Sequence, residues 1–487
     1  MKNEPLIYEL SAPGRQGVRL PKLDVPESPL PEVRLRADLP LPEVSESDVV
    51  RHFLRLSHLN YSVDQGMYPL GSCTMKYNPK VNEAAARMPG FTGVHPLQDT
   101  ATTQGALYVM YAVQEYLKCI GGFAAVSLQP AAGAQGELTG VLIMRRYHLD
   151  RGETQRDTIL VPDSAHGTNP ASTAMSGLQV VQIPSDARGN VDLNALRAAA
   201  NDRVVGLMLT NPNTLGLFDE HLEEIIAIVH GCGGLVYGDG ANMNALVGVM
   251  CPGNAGVDIM HFNLHKTFST PHGGGGPGSG PVGVAGHLVE YLPSPIVIMD
   301  AAESTEDDPY FAFHTPDKTI GQVKSFWGHF GVIVRAYAYI RMLGGPGLRR
   351  VAEHAVLNAN YLRNRLQGVY PIPYGGERLC KHEFVAEGHL EGAPEIHAMD
   401  IAKRLIDYGV HPPTYYFPLI VHEALMIEPT ETESLQALDA YADALLKIAE
   451  EARSAPELLQ TAPHDAPVKR LDEVGAARSP ILRYPHP

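Results

Sequence analysis

The stretch HFNLHKTFSTPHGGGGPGSG at residues 261–280 decides how this chain is interpreted. It begins as an apolar strand, places Lys266 at the end of that strand and continues into a run of glycines. A simple surface lysine would need neither feature, because a bare glycine backbone is what lets a ligand come close. We therefore interpret Lys266 as a functional lysine at the carboxyl end of a strand.

The surrounding region, from about residue 120 to 285, alternates short apolar runs with loops and helical stretches. This alternation predicts a mainly parallel sheet covered by helices on both faces, in an α/β fold. The loops at the carboxyl ends of parallel strands meet at one edge, where such sheets bind ligands. The predicted strands are Phe123–Leu128, Thr158–Val161, Leu178–Ile183, Val204–Leu209, Gly234–Tyr237, Ile259–Leu264 and Val282–Ala285.

Two other predicted strand ends carry side chains suited to an aromatic cofactor. Asp239 follows one strand, where a carboxylate can hold a protonated ring nitrogen. His166 follows another among small residues, which suits an imidazole laid against a ring. Taken singly, Asp239 is a typical helix N-cap and His166 a structural histidine. Because Lys266 stands at a third strand end, we predict that all three are catalytic.

The segment 128–140 leads from a strand through small residues into a helix. Free amides at that helix start, near Ala134, together with the Gln135 side chain, predict a phosphate site. A tight strand-to-helix turn explains the segment equally well. Asn213 lies in a turn after another strand and is a weaker candidate for a contact to the cofactor or the substrate.

Other site types are not favoured. The glycine run 273–278 satisfies G-x-G-x-x-G, but it precedes a strand, whereas a dinucleotide fingerprint follows one and opens a helix. His261 and His265 are four apart on a strand with no evident third ligand, so we assign no metal. The five cysteines are spread along the chain without a C-x-x-C pair, which argues against a disulfide framework or a zinc site.

The formal net charge of −16 opposes general affinity for nucleic acid or for anionic membranes. The sequence contains no run of 18 apolar residues, and its start lacks the layout of a signal peptide. We therefore expect a cytoplasmic protein that acts on a small molecule or a protein partner.

Four regions are predicted along the chain: an extended, proline-rich arm at 1–60, a large domain at 61–325, a smaller C-terminal α+β domain at 326–454 and a tail at 455–487. An ordered arm has to lie against the body of the chain or a partner, because extended backbone alone does not offset its ordering entropy. The helices predicted for the smaller domain are Phe330–Leu343, Leu348–Leu366, Ala398–Tyr408 and Leu435–Ala452.

The order of Gln135, His166, Asp239 and Lys266 resembles the fold-type I pyridoxal-phosphate (PLP) enzymes, of aspartate-aminotransferase type. More specifically, MYPLGSCTMKYNPK at 67–80, SAHGTNP at 164–170 and LHKTF at 264–268 resemble the P-protein family, the glycine decarboxylases of the glycine cleavage system. The resemblance spans nearly the whole chain and corresponds to the C-terminal half of the long single-chain form. It therefore implies the second subunit of a split enzyme.

This resemblance implies that Lys266 carries PLP as a Schiff base, and that Asp239 and His166 contact its ring. Thr319 is a further candidate, because in related folds a threonine from the segment between the domains completes the phosphate site. The full set of cofactor-binding candidates is Lys266, Asp239, His166, Ala134, Gln135, Asn213, His265 and Thr319.

The implied reaction converts glycine and lipoylated H-protein into S-aminomethyl-dihydrolipoyl-H-protein and carbon dioxide. It requires subunit 1, with two copies of each subunit expected. The loop Tyr61–Pro79 is where contacts to glycine or to the lipoyl sulfurs are expected, through Ser72, Cys73, Thr74 and Tyr77. Cys73 stays outside the catalytic set, because a lone cysteine in such a loop is more often inert.

Two other classes stay open at this point. One is another fold-type I enzyme, such as an aldolase, a desulfurase or an amino-acid decarboxylase, acting alone as a homodimer. The other is a PLP-fold scaffold that binds partners without catalysis. The amino acids that perturb the cofactor spectrum distinguish the first class, and substitution of Lys266 distinguishes the second.

Overall fold

A computed structural model describes residues 4–29, 31, 35, 39–271 and 278–483. It divides into two compact units, Met1–Gln65 with Ala462–Pro487, and Gly66–Thr461. Residues 273–277 of the glycine run lie outside the described residues. Within the described part of the chain, no helix is both long and apolar enough to cross a membrane.

Helices and strands alternate along much of the chain. The α-helices are α1 (Glu46–Ser57), α2 (Lys80–Ala86), α3 (Pro89–Thr92), α4 (Gln104–Gly121), α5 (Gly133–Asp150), α6 (Thr168–Met175), α7 (Leu193–Ala199), α8 (Leu222–Gly231), α9 (Phe330–Leu366), α10 (Ala398–Asp407), α11 (Leu435–Ser454), α12 (Glu457–Gln460) and α13 (Glu473–Arg478). The strands are β1 (Ala125–Ser127), β2 (Thr158–Pro162), β3 (Gln179–Ile183), β4 (Val204–Thr210), β5 (Leu235–Asp239), β6 (Ile259–His261), β7 (Val282–Val284), β8 (Ile296–Met299), β9 (Phe311–His314), β10 (Phe384–Glu387), β11 (Thr414–Tyr415) and β12 (Ala424–Ile427).

A seven-stranded sheet with the order β1-β7-β6-β5-β4-β2-β3 forms the centre of the larger unit. Its strands pair in parallel except for β7, which runs antiparallel to β1 and β6. Strands β2, β4, β5 and β6 are buried along their whole length, as their continuous apolar runs require. The predicted mainly parallel sheet of an α/β fold is therefore confirmed.

The edge strand β3 is an exception to the prediction that helices cover the sheet on both faces. Only Ile183 of its five residues is buried, and Val180 and Val181 each keep 38% of their surface exposed. An edge strand has one neighbour instead of two, and the glutamines at 179 and 182 suit that partly solvated position. The two-sided cover expected from the sequence therefore applies to the central strands only.

The smaller α+β region is also confirmed. Its antiparallel sheet has the order β10-β12-β11 and packs with α10, α11 and the second half of α9 around a separate apolar core. The two helices predicted before and after residue 345 form the single element α9, interrupted at Gly344, which has φ 61° and ψ −178°. Pro346 lies two positions later, and its missing N–H explains why the helix breaks in this region.

The loop between residues 70 and 78 lies along the smaller sheet. Leu70 forms an antiparallel bridge with Ile427, the last residue of β12. Lys76 is 1% exposed, and its Nζ donates to Glu431 at 2.7 Å and to Asn244 at 2.9 Å. The loop is thereby fixed at both ends by the C-terminal half of the chain.

The smaller unit contains the predicted arm. Helix α1 begins at Ser45, whose hydroxyl accepts from the amide of Asp48 while the Asp48 carboxylate accepts from the amide of Ser45. Glu4 forms two 2.7 Å bonds with Arg55 of this helix. Within the predicted extended arm 1–60, residues 46–57 therefore form a capped helix, and Ile7–Leu10 form a short 3-10 helix.

We expect Lys76→Met to lower the free energy of unfolding by about 3 kcal/mol, because it leaves the Glu431 carboxylate buried without its cation. The exposed Lys80, at the end of the same loop, provides the matched control Lys80→Met, with an expected change below about 0.5 kcal/mol. Urea unfolding followed by circular dichroism measures both. Equal stability of Lys76→Met and the parent protein would contradict this account. Adding Glu431→Gln to Lys76→Met should recover part of the lost free energy of unfolding.

Candidate active site

Four of the predicted functional positions follow strands that are neighbours in the sheet. Lys266 follows β6, Asp239 ends β5, Asn213 follows β4 and His166 follows β2, and these strands stand in that order. Partial burial of the ring lowers the pKa of His166, and the charges of Asp239 and Lys266 act on this pKa as well. The structure thus brings Lys266, Asp239 and His166 into one site at the carboxyl edge of the sheet.

Asp239 is a buried carboxylate that lies beside a neutral histidine. Its side chain is 2% exposed and accepts from the backbone N–H of Ala241 at 2.9 Å. Nε2 of His261 lies 3.6 Å from the carboxylate, and Nδ1 of the same ring lies 2.6 Å from the hydroxyl of Tyr237. Burial lowers the pKa of His261, which keeps this imidazole neutral. Nε2 of His261 bonds to Oδ1 of Asn263 at 2.9 Å, so the neutral ring packs beside Asp239 without a hydrogen bond to it. Sequence reasoning missed this buried neighbour of Asp239 because it tested the histidine only as a metal ligand.

Lys266 lies in a turn just after β6 and is partly buried. Its amide donates to the carbonyl of Asn263 at 3.1 Å, and its own carbonyl accepts from the amide of Ser269 at 3.2 Å. Burial raises the pKa of the Cys73 thiol to about 11, and the charge of Lys266 works against that shift. The lysine is therefore within electrostatic reach of the loop 70–78.

Glu137 is a second residue that the sequence analysis missed. Burial and the nearby Asp239 raise the pKa of this carboxyl to about 8. The hydroxyl of Thr168 donates to Oε1 of Glu137 at 2.9 Å and lies 2.7 Å from Nδ1 of His166. Glu137 therefore connects to His166 through Thr168. The sequence feature that could have identified Glu137 is an acidic residue inside helix α5, two positions after Gln135.

The structure changes the predicted phosphate site in one respect, which concerns the Gln135 side chain. Both ends of the Gln135 amide are bonded to the protein, since Oε1 accepts from Ala131 at 2.6 Å and Nε2 donates to the carbonyl of Val323 at 2.6 Å. Its side chain therefore holds the loop together. The first amides of α5, where Ala134 is exposed, have no acceptor within their own helix and can receive an anion.

Three further cofactor candidates are bonded to neighbouring backbone. The side chain of Asn213 donates to Gly189 and accepts from Leu215 and Leu217 within its own turn. The hydroxyl of Thr319 donates to the carbonyl of Leu292 at 2.6 Å. Nδ1 of His265 accepts from the amide of Ser279 at 3.1 Å. The geometry therefore favours loop-supporting roles for these side chains over the predicted contacts to the cofactor.

The residues of this edge fit a pyridine cofactor with a phosphate group. They combine an amine, a buried carboxylate, an imidazole and the open amides of a helix start. Several buried polar atoms on the surrounding loops have no hydrogen-bond partner among the described residues, which is the signature of a missing polar group. They are Glu137 Oε2, Thr210 Oγ1, Asn211 Nδ2, Thr267 Oγ1, Thr270 Oγ1 and Ser279 Oγ.

The loop predicted to meet the substrate lies beside the lysine segment. The carbonyl of Tyr77 accepts from the hydroxyl of Ser269 at 2.8 Å. Ser72 and Thr74 have positive φ angles of 62° and 49°, and both donate backbone N–H groups to buried carboxylates. Contacts of this loop to glycine or to lipoyl sulfurs stay a prediction.

Two segments of the chain match known families. Residues 351–470 match the family described as glycine dehydrogenase, C-terminal domain, and residues 141–275 match aminotransferase class-V. The chain is 55% identical over 484 residues to the probable glycine dehydrogenase (decarboxylating) subunit 2 of Caldanaerobacter subterraneus subsp. tengcongensis, covering 98% of each chain. It is 56% identical over 487 residues to the protein of the same name from Desulforamulus reducens, covering 99% of each.

Solved structures are similar as well. The glycine decarboxylase (P-protein) of the glycine cleavage system, in inhibitor-bound form, superposes with a TM-score of 0.72 at 22% identity, covering 86% of this chain and 93% of the other. A sphingosine-1-phosphate lyase from Burkholderia pseudomallei superposes with a TM-score of 0.62 at 15% identity, covering 90% and 94%. These similarities confirm the predicted fold-type I architecture.

We expect Glu137→Gln to change how the stability of the cofactor-free protein depends on pH. The folded chain keeps the Glu137 proton up to a pKa of about 8, whereas the unfolded chain releases it near about 4.3. Because the folded state binds the extra proton, this group makes the parent less stable as pH rises between those values, by at most about 1.4 kcal/mol per pH unit.

Thermal midpoints at about pH 5.5 and about pH 8.5 test this expectation. At the higher pH, the thermal midpoint of Glu137→Gln should rise relative to that of the parent. Glu303→Gln, at an exposed loop position, is the control and should follow the parent at both values. A parallel pH dependence of Glu137→Gln and the parent would show that Glu137 ionises normally.

Proposed function

The chain belongs to the family of glycine dehydrogenase (decarboxylating) subunit 2, and on that basis we propose that it is the cofactor-bearing subunit for glycine decarboxylation in the glycine cleavage system. The proposed reaction takes glycine and lipoylated H-protein to S-aminomethyl-dihydrolipoyl-H-protein and carbon dioxide. One observation carries the proposal: Lys266, Asp239 and His166 meet at one edge of the sheet in a chain that matches this family along its whole length.

PLP is the cofactor implied by the family and by the aminotransferase class-V match. When bound, it supplies an electron sink for the pair left behind as the carboxylate of glycine departs. The amine of Lys266 would hold it, the amides at the start of α5 would seat its phosphate, and Asp239 would face its ring nitrogen.

Each of these residues contributes one physical effect. The Asp239 carboxylate is buried and fixed, so its negative charge stabilises a proton on the facing nitrogen with little screening by water. His166 lies at the exposed side of the site, where its ring can cover a bound group. Lys266, when it is free, can take up or release a proton at Nζ next to the reacting carbon.

The name of the family implies a partner, subunit 1. We propose a complex with two copies of each subunit, a lipoylated H-protein as the acceptor of the aminomethyl group, and a cytoplasmic location. The apolar side chains of the N-terminal arm support a protein partner. Val18 and Leu20 expose 78% and 87% of their surface, and Leu23 and Val25 expose 66% and 63%.

Exchange of the glycine carboxyl group with labelled bicarbonate tests the proposed function. We expect exchange when this chain is combined with subunit 1 and lipoylated H-protein, and a loss of at least about 1000-fold with Lys266→Ala. Lys118→Ala, which removes a lysine paired with Glu115 on α4, should leave the rate unchanged.

Three results would contradict the proposal or part of it. Full exchange by this chain alone would contradict the need for subunit 1. A spectral response of the bound cofactor to larger amino acids but not to glycine would favour another fold-type I activity. Persistence of the visible cofactor absorbance in Lys266→Ala would contradict the assignment of the lysine itself.

The arm generates a separate prediction about assembly. Leu20→Asp with Leu23→Asp should weaken association with subunit 1 by about ten-fold or more, because two apolar side chains would lose their burial. Leu379→Asp, at another exposed leucine, is the control. Sedimentation of mixtures at several concentrations measures the dissociation constant. Unchanged association of the double variant would show that the arm contributes nothing to this contact.

A further inference from the structure

Three polar side chains at the carboxyl edge of the sheet form a continuous line of contacts. Oγ1 of Thr168 lies 2.9 Å from Oε1 of Glu137 and 2.7 Å from Nδ1 of His166. The backbone amide of Thr168 donates to the same ring nitrogen at 3.2 Å. We call Glu137, Thr168 and His166 the His166 network. It runs from a buried carboxyl group to an exposed imidazole.

The buried end of the His166 network is a carboxyl group without a cationic partner. Glu137 lies in α5 and keeps only 5% of its surface exposed. Its second oxygen, Oε2, is buried and has no hydrogen-bond partner among the described residues. A buried carboxylate is costly unless a cation or several donors compensate it. The protonated acid is therefore the more stable form of Glu137 near neutral pH.

The number of hydrogens in the network decides which atom carries each proton. Nδ1 of His166 accepts from the backbone amide of Thr168, so a neutral ring holds its hydrogen on Nε2. The hydroxyl of Thr168 then donates to Nδ1, and protonated Glu137 donates to the hydroxyl oxygen. Every hydrogen between the three groups has an acceptor in this arrangement, which is the acid form of the network.

A second arrangement needs nearly the same positions of the heavy atoms. When Glu137 is a carboxylate, the hydroxyl of Thr168 donates to Oε1. Nδ1 of His166 then donates to the hydroxyl oxygen, which requires a hydrogen on Nδ1. Between the two arrangements Glu137 loses a proton, Thr168 exchanges one and Nδ1 gains one. The network can therefore pass a proton along two short hydrogen bonds.

The hydroxyl of Thr168 is bonded differently from others in its helix. The hydroxyl of Thr173 donates to the carbonyl of Asn169 at 2.9 Å, and that of Ser176 donates to the carbonyl of Ser172 at 2.9 Å. Thr168 stands at the first position of α6 and bonds instead to two ionisable side chains. A hydroxyl that only had to be satisfied would need one carbonyl, so this placement favours a role in proton transfer.

The charges around the His166 network act on both of its ends. Burial and the charge of Asp239 raise the pKa of Glu137 to about 8, and the bond from Thr168 and the charge of Lys266 oppose this. Burial lowers the pKa of His166, Asp239 raises it and Lys266 lowers it. The titratable groups that face the network are Asp239, Lys266, Tyr237 and His261.

We propose that Glu137 is a positioning residue that holds a proton for His166 and delivers it through the hydroxyl of Thr168 when Nε2 of His166 protonates a bound group. The inference rests on the proposed function, in which the lipoyl disulfide opens. The electron pair left by the departing carboxylate forms the bond from carbon to one sulfur, and the pair of the broken S–S bond stays on the other sulfur.

The second sulfur is the group that needs the proton. The N–H bond at Nε2 of His166 breaks and an S–H bond forms. At the same time Nδ1 takes the hydroxyl hydrogen of Thr168, and Thr168 takes the acid hydrogen of Glu137. The ring stays neutral throughout, and the negative charge of the sulfur ends on the Glu137 carboxylate. The reverse transfer restores the acid form when water protonates the exposed ring.

The first measurement uses the full chain without cofactor, with histidine labelled at both ring nitrogens. Two-bond proton–nitrogen correlation spectra distinguish the two neutral tautomers and the imidazolium form, and the signals of His166 are those lost in His166→Asn. At about pH 7 we expect the Nε2–H tautomer. As Glu137 ionises, with a midpoint of about 8, the Nδ1–H tautomer should increase while the ring stays neutral.

Variants separate proton transfer from a simple effect of charge. Thr168→Val removes the hydroxyl but lets Glu137 ionise, so the midpoint of about 8 should disappear from the His166 signals. Thr168→Ser should retain it. Glu137→Gln keeps an N–H that can donate to Thr168 and should fix the Nε2–H tautomer at every pH. Glu433→Gln is the matched control, since burial also raises the pKa of that carboxyl, and it should behave as the parent.

The second measurement uses the complex with subunit 1, PLP and lipoylated H-protein. The rate of carbon dioxide release from glycine is followed as a function of pH. The parent should lose rate as Glu137 ionises, above a pH of about 8. Glu137→Gln and Thr168→Val should each lower the maximal rate about 100-fold and abolish that loss at high pH. Thr168→Ser should recover most of the rate.

The outcomes are distinguishable. A parent complex that releases no carbon dioxide from glycine would overturn the proposed function, whatever the tautomer spectra show. An active parent whose pH profile is unchanged in Glu137→Gln would overturn the role of Glu137. A midpoint that persists in the His166 signals of Thr168→Val would overturn the transfer through Thr168 in favour of a charge effect through space. If Glu137→Gln does not fold, the comparison of Thr168→Val with Thr168→Ser decides the question.

Discussion

Burial of several carboxyl groups is the constraint on which the site depends, and the positive charge of Lys266 opposes its effect on their pKa values. This charge acts on Glu137 near the ring-binding side and on Glu383 and Glu428 beside the loop 70–78. Buried carboxyls without a cation keep their protons, so removing or neutralising this charge changes the protonation of groups that are far apart in sequence. The strand order places the lysine next to Asp239, and the loop fixes the second group of acids near it.

Much of the fold could be predicted because buried parallel strands are short apolar runs. Strand β2 begins at the predicted Thr158, and β4 begins at the predicted Val204. The site residues were harder to predict from the sequence. A short polar side chain in a turn can bind a ligand or stabilise the turn, and the sequence pattern is the same in both cases. The side chains of Gln135 and Asn213 bond to backbone groups of their own loops and of distant segments.

The residues that sequence reasoning missed share a different property. Glu137, His261, Glu383 and Glu428 are ionisable groups inside or beside apolar runs, and nothing local distinguishes them from other buried positions. Their partners are distant, as in the bond from Ser72 to Glu383, which spans 311 positions. A single sequence predicts contacts of this kind only after the topology is known.

The loop 70–78 meets the C-terminal half of the chain at every second residue. Leu70 bridges Ile427, Ser72 bonds to Glu383, Thr74 to Glu428 and Lys76 to Glu431. The partners belong to two different segments, and the positive φ angles of Ser72 and Thr74 distinguish this loop from an added edge strand. Any rotation of the smaller sheet would therefore pull on the loop at Leu70, Ser72 and Thr74, while the bond from Ser269 to the carbonyl of Tyr77 keeps its far end on the lysine turn.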